Sequence, residues 1–331
     1  MGNTFSGRKP FKIKRKKSVD GCSKCHRFIY VDTIRDANFS WLEGRRVSAD
    51  DFFPIARQVE GIDRLGILMH DIYKYMLRGN TRTPLTSIRA ILFIFALSLY
   101  IKKRGAYISG KLSGHNIWLI EMANDNREIQ FEGFDIKTGN IDMNSLPENL
   151  TFTHGNIFEN GLPYPDNYFD YVNVRSLLGW LPRDKISFVI EEIRRVTIPG
   201  GKLEMLETDV IIKNATEHYE EKLGKIWRDL CACKGYDPNN VIELDKFLER
   251  DFFGITNSKL SIPIGGFGGK VGELYAEAFI CAVTTIASVM EEKLNMTDKA
   301  IKEYLSECIE KLNIAQAYTN IYLVTATKSF R

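Results

Sequence analysis

Long apolar runs, a cysteine framework and an excess of charge are all scarce in this sequence, and each shortage excludes something. The longest apolar stretch, AILFIFALSLYI from Ala90 to Ile101, has twelve residues, whereas a helix that crosses a bilayer needs about 20. It reads as a buried element, flanked by Arg89 on one side and Lys102, Lys103 and Arg104 on the other. Six cysteines fall at irregular spacing with no signal peptide ahead of them, so no disulfide framework is expected and a cytoplasmic compartment is. The 45 Lys and Arg nearly balance the 42 Asp and Glu, leaving +3, too little for a nucleic-acid binder on charge alone. With 44% hydrophobic and 26% charged residues over 331 positions, the chain is expected to be soluble and globular, with one large domain and an insertion or two small domains.

The basic charge is local. Arg8, Lys9, Lys12, Lys14, Arg15, Lys16 and Lys17 all precede the first acid, Asp20, so residues 1–40 read as a disordered basic arm. The start MGNTFS fits N-myristoylation at Gly2. One acyl chain anchors only marginally and a polybasic stretch supplies the second signal, so the arm is expected to seek anionic membranes. Within it, Cys22, Cys25 and His26 form the C-x-x-C-H of haem attachment. Isolated ahead of the folded body, they are expected to bind neither haem nor a stoichiometric metal.

From Val59 to Arg78, Ile62, Leu65, Met69, Ile72, Tyr73 and Met76 share one helical face, with Asp63, Arg64, His70 and Lys74 off it. Candidate strands follow: GAYIS (105–109), IQFEGFDI (129–136), LTFTHGNI (150–157), FDYVNV (169–174) and KLEMLETDV (202–210). Helical patterns separate them, above all Arg183–Val196, where Ile186, Val189, Ile190, Ile193 and Val196 recur at helical spacing. Such alternation predicts a parallel sheet wrapped by helices, with ligands outside the carboxyl ends of the strands. Helices are also expected over 215–234, 273–293 and, capped by Thr297, 298–312, with a closing strand YTNIYLVTAT.

Two stretches are more specific. GLPYPDNYFDYVNVRSLLGWL (161–181) and EEIRRVTIPGGKLEMLETD (191–209) together resemble the class I S-adenosylmethionine-dependent methyltransferases. There a Pro-Asp-Asn turn feeds one strand, and a Pro-Gly-Gly turn joins a helix to the next. The lead GRRVSADDFFPIARQVEGIDRLGILMHDIY and the segment SIPIGGFGGKVGEL look like a fungal-type branch of that family, so the resemblance covers about residues 41–330. It implies a Rossmann-like α/β sheet flanked by helices, with S-adenosylmethionine as cofactor. Residues 41–105 then form a helical lead-in with an apolar insertion, and 106–331 the methyltransferase-like domain, with a helical lid near 210–260.

Carried over by position, the resemblance puts the ribose-binding acid at Asp135 and the adenine contacts at Asn156 and Ile157. The glycine-rich loop falls on ISGKLSGHNIW, with Gly110 where the family keeps an acid, Gly114 in place, and Leu112 and Asn116 where it keeps glycine; a shifted register would use Gly110 and Gly114. A Cβ at such an approach costs of order 1–3 kcal/mol, so weak cofactor binding is expected. The stretch 86–109 has no family counterpart and reads either as an insertion or as translated non-coding sequence. Glu207 and Asp209, ending the fifth strand, are the candidates to orient or deprotonate an acceptor, with His154 and Arg175 also directed at the crevice. Methyl transfer to a small-molecule or lipid-associated acceptor is the leading function, and a silent methyltransferase-like binding protein tethered to membranes the alternative. A dehydrogenase reading rests only on the spacing from Gly114 to Asp135. GGFGGK (265–270) is one residue short of a phosphate loop and reads as a turn.

Overall fold

A central strand buried on both faces must be apolar without interruption, and the run starting at Ala90 meets that demand. The structure, a computed structural model, describes residues 39–42, 45–48, 59–95, 117–135, 146–284 and 286–330. In chain order its elements are β1 (Phe39–Leu42), β2 (Arg45–Ser48), α1 (Val59–Leu77), β3 (Ala90–Phe95), α2 (Ile117–Asp125), β4 (Gln130–Asp135), β5 (Leu150–His154) and α3 (Ile157–Asn160). There follow β6 (Phe169–Arg175), α4 (Arg183–Val196), β7 (Thr197–Thr208), α5 (Glu217–Tyr219), α6 (Lys225–Lys234), β8 (Phe252–Pro263), α7 (Gly269–Thr284), α8 (Ala287–Leu294), α9 (Asp298–Ile314) and β9 (Tyr318–Lys328). Strands β1 and β2 pair antiparallel as a separate ribbon.

The other seven strands form one sheet in the order β5-β4-β3-β6-β7-β9-β8. The first five are parallel, and β9 runs antiparallel to both β7 and β8. This is the Rossmann-like methyltransferase sheet that the motifs imply. Strand β3 is the central one of the five parallel strands, with Ile91, Leu92, Phe93 and Ile94 each 2% exposed or less. The run placed in the lead-in as an apolar insertion is therefore, over Ala90–Phe95, the core of the sheet, and a boundary at 105/106 separates that strand from its neighbours. GAYIS lies outside the described residues.

Residue alternation sends Leu92, Ile94, Val172, Val174, Leu203 and Met205 to one face, where α4 packs with Ile186, Val189, Ile190, Ile193 and Val196. The expected apolar stripe of α4 is wholly buried, and Asp184 in its first turn with Arg194 and Arg195 in its last complement the helix dipole. On the opposite face Ile91, Phe93 and Tyr171 meet Trp118, Leu119 and Met122 of α2, while Leu206, Ile321 and Leu323 meet α1 and α7. His70, expected off the apolar face of α1, is also buried, its Nε2 3.3 Å from Glu121 of α2. Burial lowers its pKa, working against its contact with Glu121.

Glu204 lies fully buried on that second face. It accepts from Thr81 Oγ1 (2.8 Å), the Arg82 and Thr83 amides (3.1 and 3.0 Å), Thr83 Oγ1 (2.9 Å) and Asn173 Nδ2 (3.3 Å). Such a carboxylate survives burial because its lone pairs are met by donors. It ties the α1–β3 connection to the sheet.

The turns work as the motifs suggest, with one difference. Asn167 of Pro-Asp-Asn takes a positive φ of 55°, and Lys328 Nζ reaches its Oδ1 at 2.7 Å and the Thr197 carbonyl at 2.6 Å. Pro199, Gly200 and Gly201 lie within β7 rather than ahead of it, where the register with β6 shifts between Phe169 and Tyr171. A Cβ on Gly201 would stand 2.8 Å from the Ile198 carbonyl oxygen. The expected helix over 215–234 runs through α5, a π-helical segment (Glu220–Gly224) and α6. It packs with α7, α8 and α9 in a second apolar core. The stretch 210–260 expected to form a lid is interrupted, because β8 already belongs to the sheet from Phe252.

Candidate functional site at the carboxyl edge

In a doubly wound sheet the strand ends nearest the reversal of order form the ligand crevice. Here these are the carboxyl ends of β3, β4, β5, β6 and β7, ending at Phe95, Asp135, His154, Arg175 and Thr208. Asp135 is buried, 7% exposed, at the last position of β4 beside the central strand. Its carbonyl accepts from Gly155 N at 3.0 Å, which draws the β5–α3 turn against it. Asn156 caps α3, its Oδ1 accepting from Phe158 N at 3.0 Å and its Nδ2 donating to Glu159 at 3.0 Å. The amide is held in place, and its oxygen has a second lone pair. Ile157, 6% exposed, packs in the core with Ile94, Phe134 and Leu162. The structure therefore brings Asp135, Asn156 and Ile157 together on adjacent strand ends.

Glu207 and Asp209 sit across the crevice at the end of β7, each 1% exposed. Glu207 Oε1 accepts from the Leu177 and Leu178 amides at 2.8 and 3.0 Å, and Oε2 from Gly179 N at 3.3 Å. Burial pushes its carboxyl up to about 7, against the pull of these amides. It thus holds the loop that leaves β6. Gly179 fits there because a Cβ would meet Val241 Cγ2 at 2.7 Å. Asp209 Oδ1 accepts from Ile211 N at 2.8 Å, and Lys213 Nζ lies 3.3 Å from Oδ2 without hydrogen-bond geometry. Asp209 braces the start of the lid segment.

Sequence reasoning missed Tyr73. From α1 its hydroxyl bridges Ser176 Oγ (3.0 Å) and Thr208 Oγ1 (2.7 Å), joining the ends of β6 and β7. The periodicity marks Tyr73 as apolar, and no local signal marks the partners of its hydroxyl. Arg175, expected to face the crevice, turns instead along the sheet. It donates to Asn173 Oδ1 (3.1 Å) and the Asn80 carbonyl (2.6 Å), and stacks over Trp118 with its guanidinium carbon 4.7 Å from the ring centroid. Trp118 Nε1 donates to the same carbonyl at 2.6 Å, so β6, α2 and the end of α1 share one joint. His154 ends β5 and is exposed.

Gly110, Leu112, Gly114 and Asn116 lie outside the described residues, as do Gly2, the basic arm, Cys22, Cys25 and His26. Residues 96–116, between β3 and α2, lie outside the described residues. Among the described residues no group of His, Cys, Asp and Glu is placed to hold a metal, and Cys231, Cys233, Cys281 and Cys308 are free thiols. No described helix is long and apolar enough to cross a membrane. An open groove lined by Arg82, Lys202, Thr256, Thr325 and Thr327 lies toward the opposite end of the strands, away from Asp135 and Glu207.

Comparison with known proteins finds methyltransferases. The family described as a methyltransferase domain matches residues 113–205. A protein described as "Probable methyltransferase ltbC" from Aspergillus luteorubrus is 43% identical over 63 residues, 19% of this chain and 22% of that one. The demethylmenaquinone methyltransferase of Bacillus licheniformis is 34% identical over 113 residues, 32% of this chain and 46% of that one. The chain thus spans less than half the length of these curated relatives. Matches of both fungal and bacterial origin do not single out a branch. Among solved structures, an S-adenosylmethionine-dependent methyltransferase of Archaeoglobus fulgidus aligns over 78% of this chain and 94% of its own, with 15% identity and a TM-score of 0.43. The family match is to a methyltransferase domain and covers residues 113–205 of the 331.

Proposed function

We propose that this chain transfers a methyl group from S-adenosylmethionine, held along the carboxyl edge, to a small-molecule or lipid-associated acceptor. The observation that carries this reading is the buried Asp135 carboxylate on the strand next to the centre, with Asn156 and Ile157 on the neighbouring strand end. The donor set fits the cofactor. A carboxylate accepts from both ribose hydroxyls at once, the free lone pair of Asn156 Oδ1 suits an adenine amino group, and Ile157 gives the ring an apolar wall. When bound, the cofactor supplies an electrophilic methyl on its sulfonium.

The chain's own residues position. In-line displacement gains most from holding the partners in contact geometry, and a base is needed only where the acceptor must lose a proton. The contacts of Glu207 and Asp209 support a positioning role. Glu207 fixes Leu177–Gly179 at the floor of the crevice, and Asp209 fixes the root of the lid. Relatives named for demethylmenaquinone, an apolar acceptor, support the lipid-associated class. Gly2 and the seven basic residues that follow it support attachment to anionic membranes.

The silent-binder reading rests on one observation, Leu112 standing where the family keeps glycine. Titration calorimetry with S-adenosylmethionine separates the two. Binding by the parent and its loss in Asp135→Ala, with an unchanged melting temperature, is the expected result. Equal binding by both would remove Asp135 from the site, and no binding by the parent would leave the silent binder.

A further inference from the structure

The function above leaves GGFGGK unused. After β8 ends at Pro263, a short 3-10 turn over Gly266–Gly268 leads into α7. Its shape is fixed from several sides. Phe267 N donates to Asn313 Oδ1 at 2.9 Å and Gly265 N to the Gly272 carbonyl at 3.0 Å. A Cβ on Gly268 would run into Pro263, and one on Gly272 into the Gly265 carbonyl oxygen. These glycines are explained by packing. Gly266 is not, since a Cβ there would meet nothing within 4 Å.

What this loop presents is one apolar side chain. Phe267 is 43% exposed with bare glycine on both sides, and Ile314, next to Asn313 at the end of α9, is 74% exposed. Lys270 stands beside them, exposed. Strand β8 runs in the direction of β7, and β9 begins with Tyr318 bridged to Lys213 just past β7. The tip therefore projects from the same edge of the sheet as Asp135 and Glu207. The other exposed phenylalanines differ. Phe253 and Phe330 lie toward the opposite edge with ring centroids 6.2 Å apart, each partly covering the other.

We infer that the glycine-flanked Phe267 tip, together with Ile314, seats in a lipid bilayer and turns the carboxyl edge toward acceptors dissolved in it. A protein partner would need about 800 Å² on this side, and two side chains on a convex, glycine-bare tip supply far less. A bilayer needs only protruding apolar groups, which positive charge assists. At the tip Lys270 lies 3.4 Å from Glu273, so the apolar groups carry the seating there; the seven basic residues between Arg8 and Lys17 lie outside the described residues and are a separate, salt-sensitive attraction to an anionic surface. The consequence for acceptor class rests on the methyl-transfer reading, whereas the membrane contact does not.

The test is flotation of the full chain with pure phosphatidylcholine vesicles and with phosphatidylcholine–phosphatidylserine vesicles, at low and at high salt. Apolar seating is insensitive to salt and the basic arm is not. Phe267→Glu and Ile314→Glu should each weaken partitioning roughly tenfold, in both lipids and at both salts. Lys-to-Gln changes at Lys14, Lys16 and Lys17 should remove only the salt-sensitive part. Cofactor titration of the double variant should match the parent, which shows a folded protein and keeps a failure of this inference distinct from a failure of methyl transfer. Unchanged partitioning of the double variant overturns the inference. So does parent binding that vanishes at high salt, or a concentration-dependent dimer of the parent that the double variant lacks.

Discussion

Replacing Glu207 by glutamine should make the protein more stable at alkaline pH. The carboxyl stands at about 7 against an ordinary 4.5, and the difference of 2.5, at 1.36 kcal/mol for each pKa step, comes to about 3 kcal/mol. The sign follows from linkage. A folded pKa raised above the unfolded one gives stability that is complete below about pH 4.5 and lost as pH rises through about 7. Glutamine has no charge to bury. It keeps one oxygen for Leu177 and Leu178 but faces Gly179 N, now 3.3 Å from Oε2, with a donor, at a cost of about 1 kcal/mol. Glu207→Gln should therefore be more stable than the parent by about 2 kcal/mol at pH 8.5, with the order reversed below about pH 5. Glu207→Ala leaves three buried amides unmet and should cost at least about 3 kcal/mol at pH 4.5, a cost largely offset at pH 8.5 by the same removal of the buried charge. Urea denaturation of the three proteins at pH 4.5 and 8.5 measures all of this. A gap between parent and glutamine variant that does not move with pH would refute the reasoning. Were Glu207 the acceptor's base, the same variant would gain stability yet lose roughly 10²–10⁴ in turnover.

Three further outcomes are expected. Gly179→Ala pushes a Cβ to 2.7 Å from Val241 Cγ2 and should cost about 1–3 kcal/mol in chemical denaturation. Gly2→Ala should shift the protein out of the membrane fraction of cells, and unchanged fractionation would sink the acylation reading. Leu112→Gly should tighten S-adenosylmethionine roughly thirtyfold in calorimetry, if a Cβ there costs about 2 kcal/mol.

What could be read from the chain alone was what local physics writes twice. In α4 the stripe of Ile186, Val189, Ile190, Ile193 and Val196 agrees with its terminal charges, and all five are buried. The Pro-Asp-Asn turn needs a left-handed Asn167, and has one. Strand β8 escaped because it is an edge strand with seven of its twelve positions exposed, so no alternation marks it. At the site, Asp135, Asn156 and Ile157 are named through the family likeness alone, and what Glu207 does was not legible. Its partners are amides of a loop 28–30 residues earlier, and no spacing rule links them. Arg175 failed for a related reason. Its place on β6 was right, but the carbonyl of Asn80, 95 residues away, decides where its guanidinium goes.

The central strand carries the deepest of these lessons, because it moves the question about the cofactor loop. The sequence offers GAYIS as the strand before the glycine-rich loop and AILFIF as part of an apolar insertion. Burial on both faces decides otherwise. Ile91 to Ile94 fill both faces between β4 and β6, a place the glycine and serine of GAYIS would fill poorly. The described part of that strand ends at Phe95, while Gly110, Leu112 and Gly114 precede α2 in the sequence. Two stretches of sequence are then candidates for the cofactor, the residues that follow Phe95 and those that precede Ile117, and the Leu112→Gly titration discriminates between them. Tightening places the cofactor against 110–116, where a bare backbone helps. Unchanged affinity in the presence of an Asp135-dependent signal places it against the residues that follow Phe95, and Leu112 then lies outside the site.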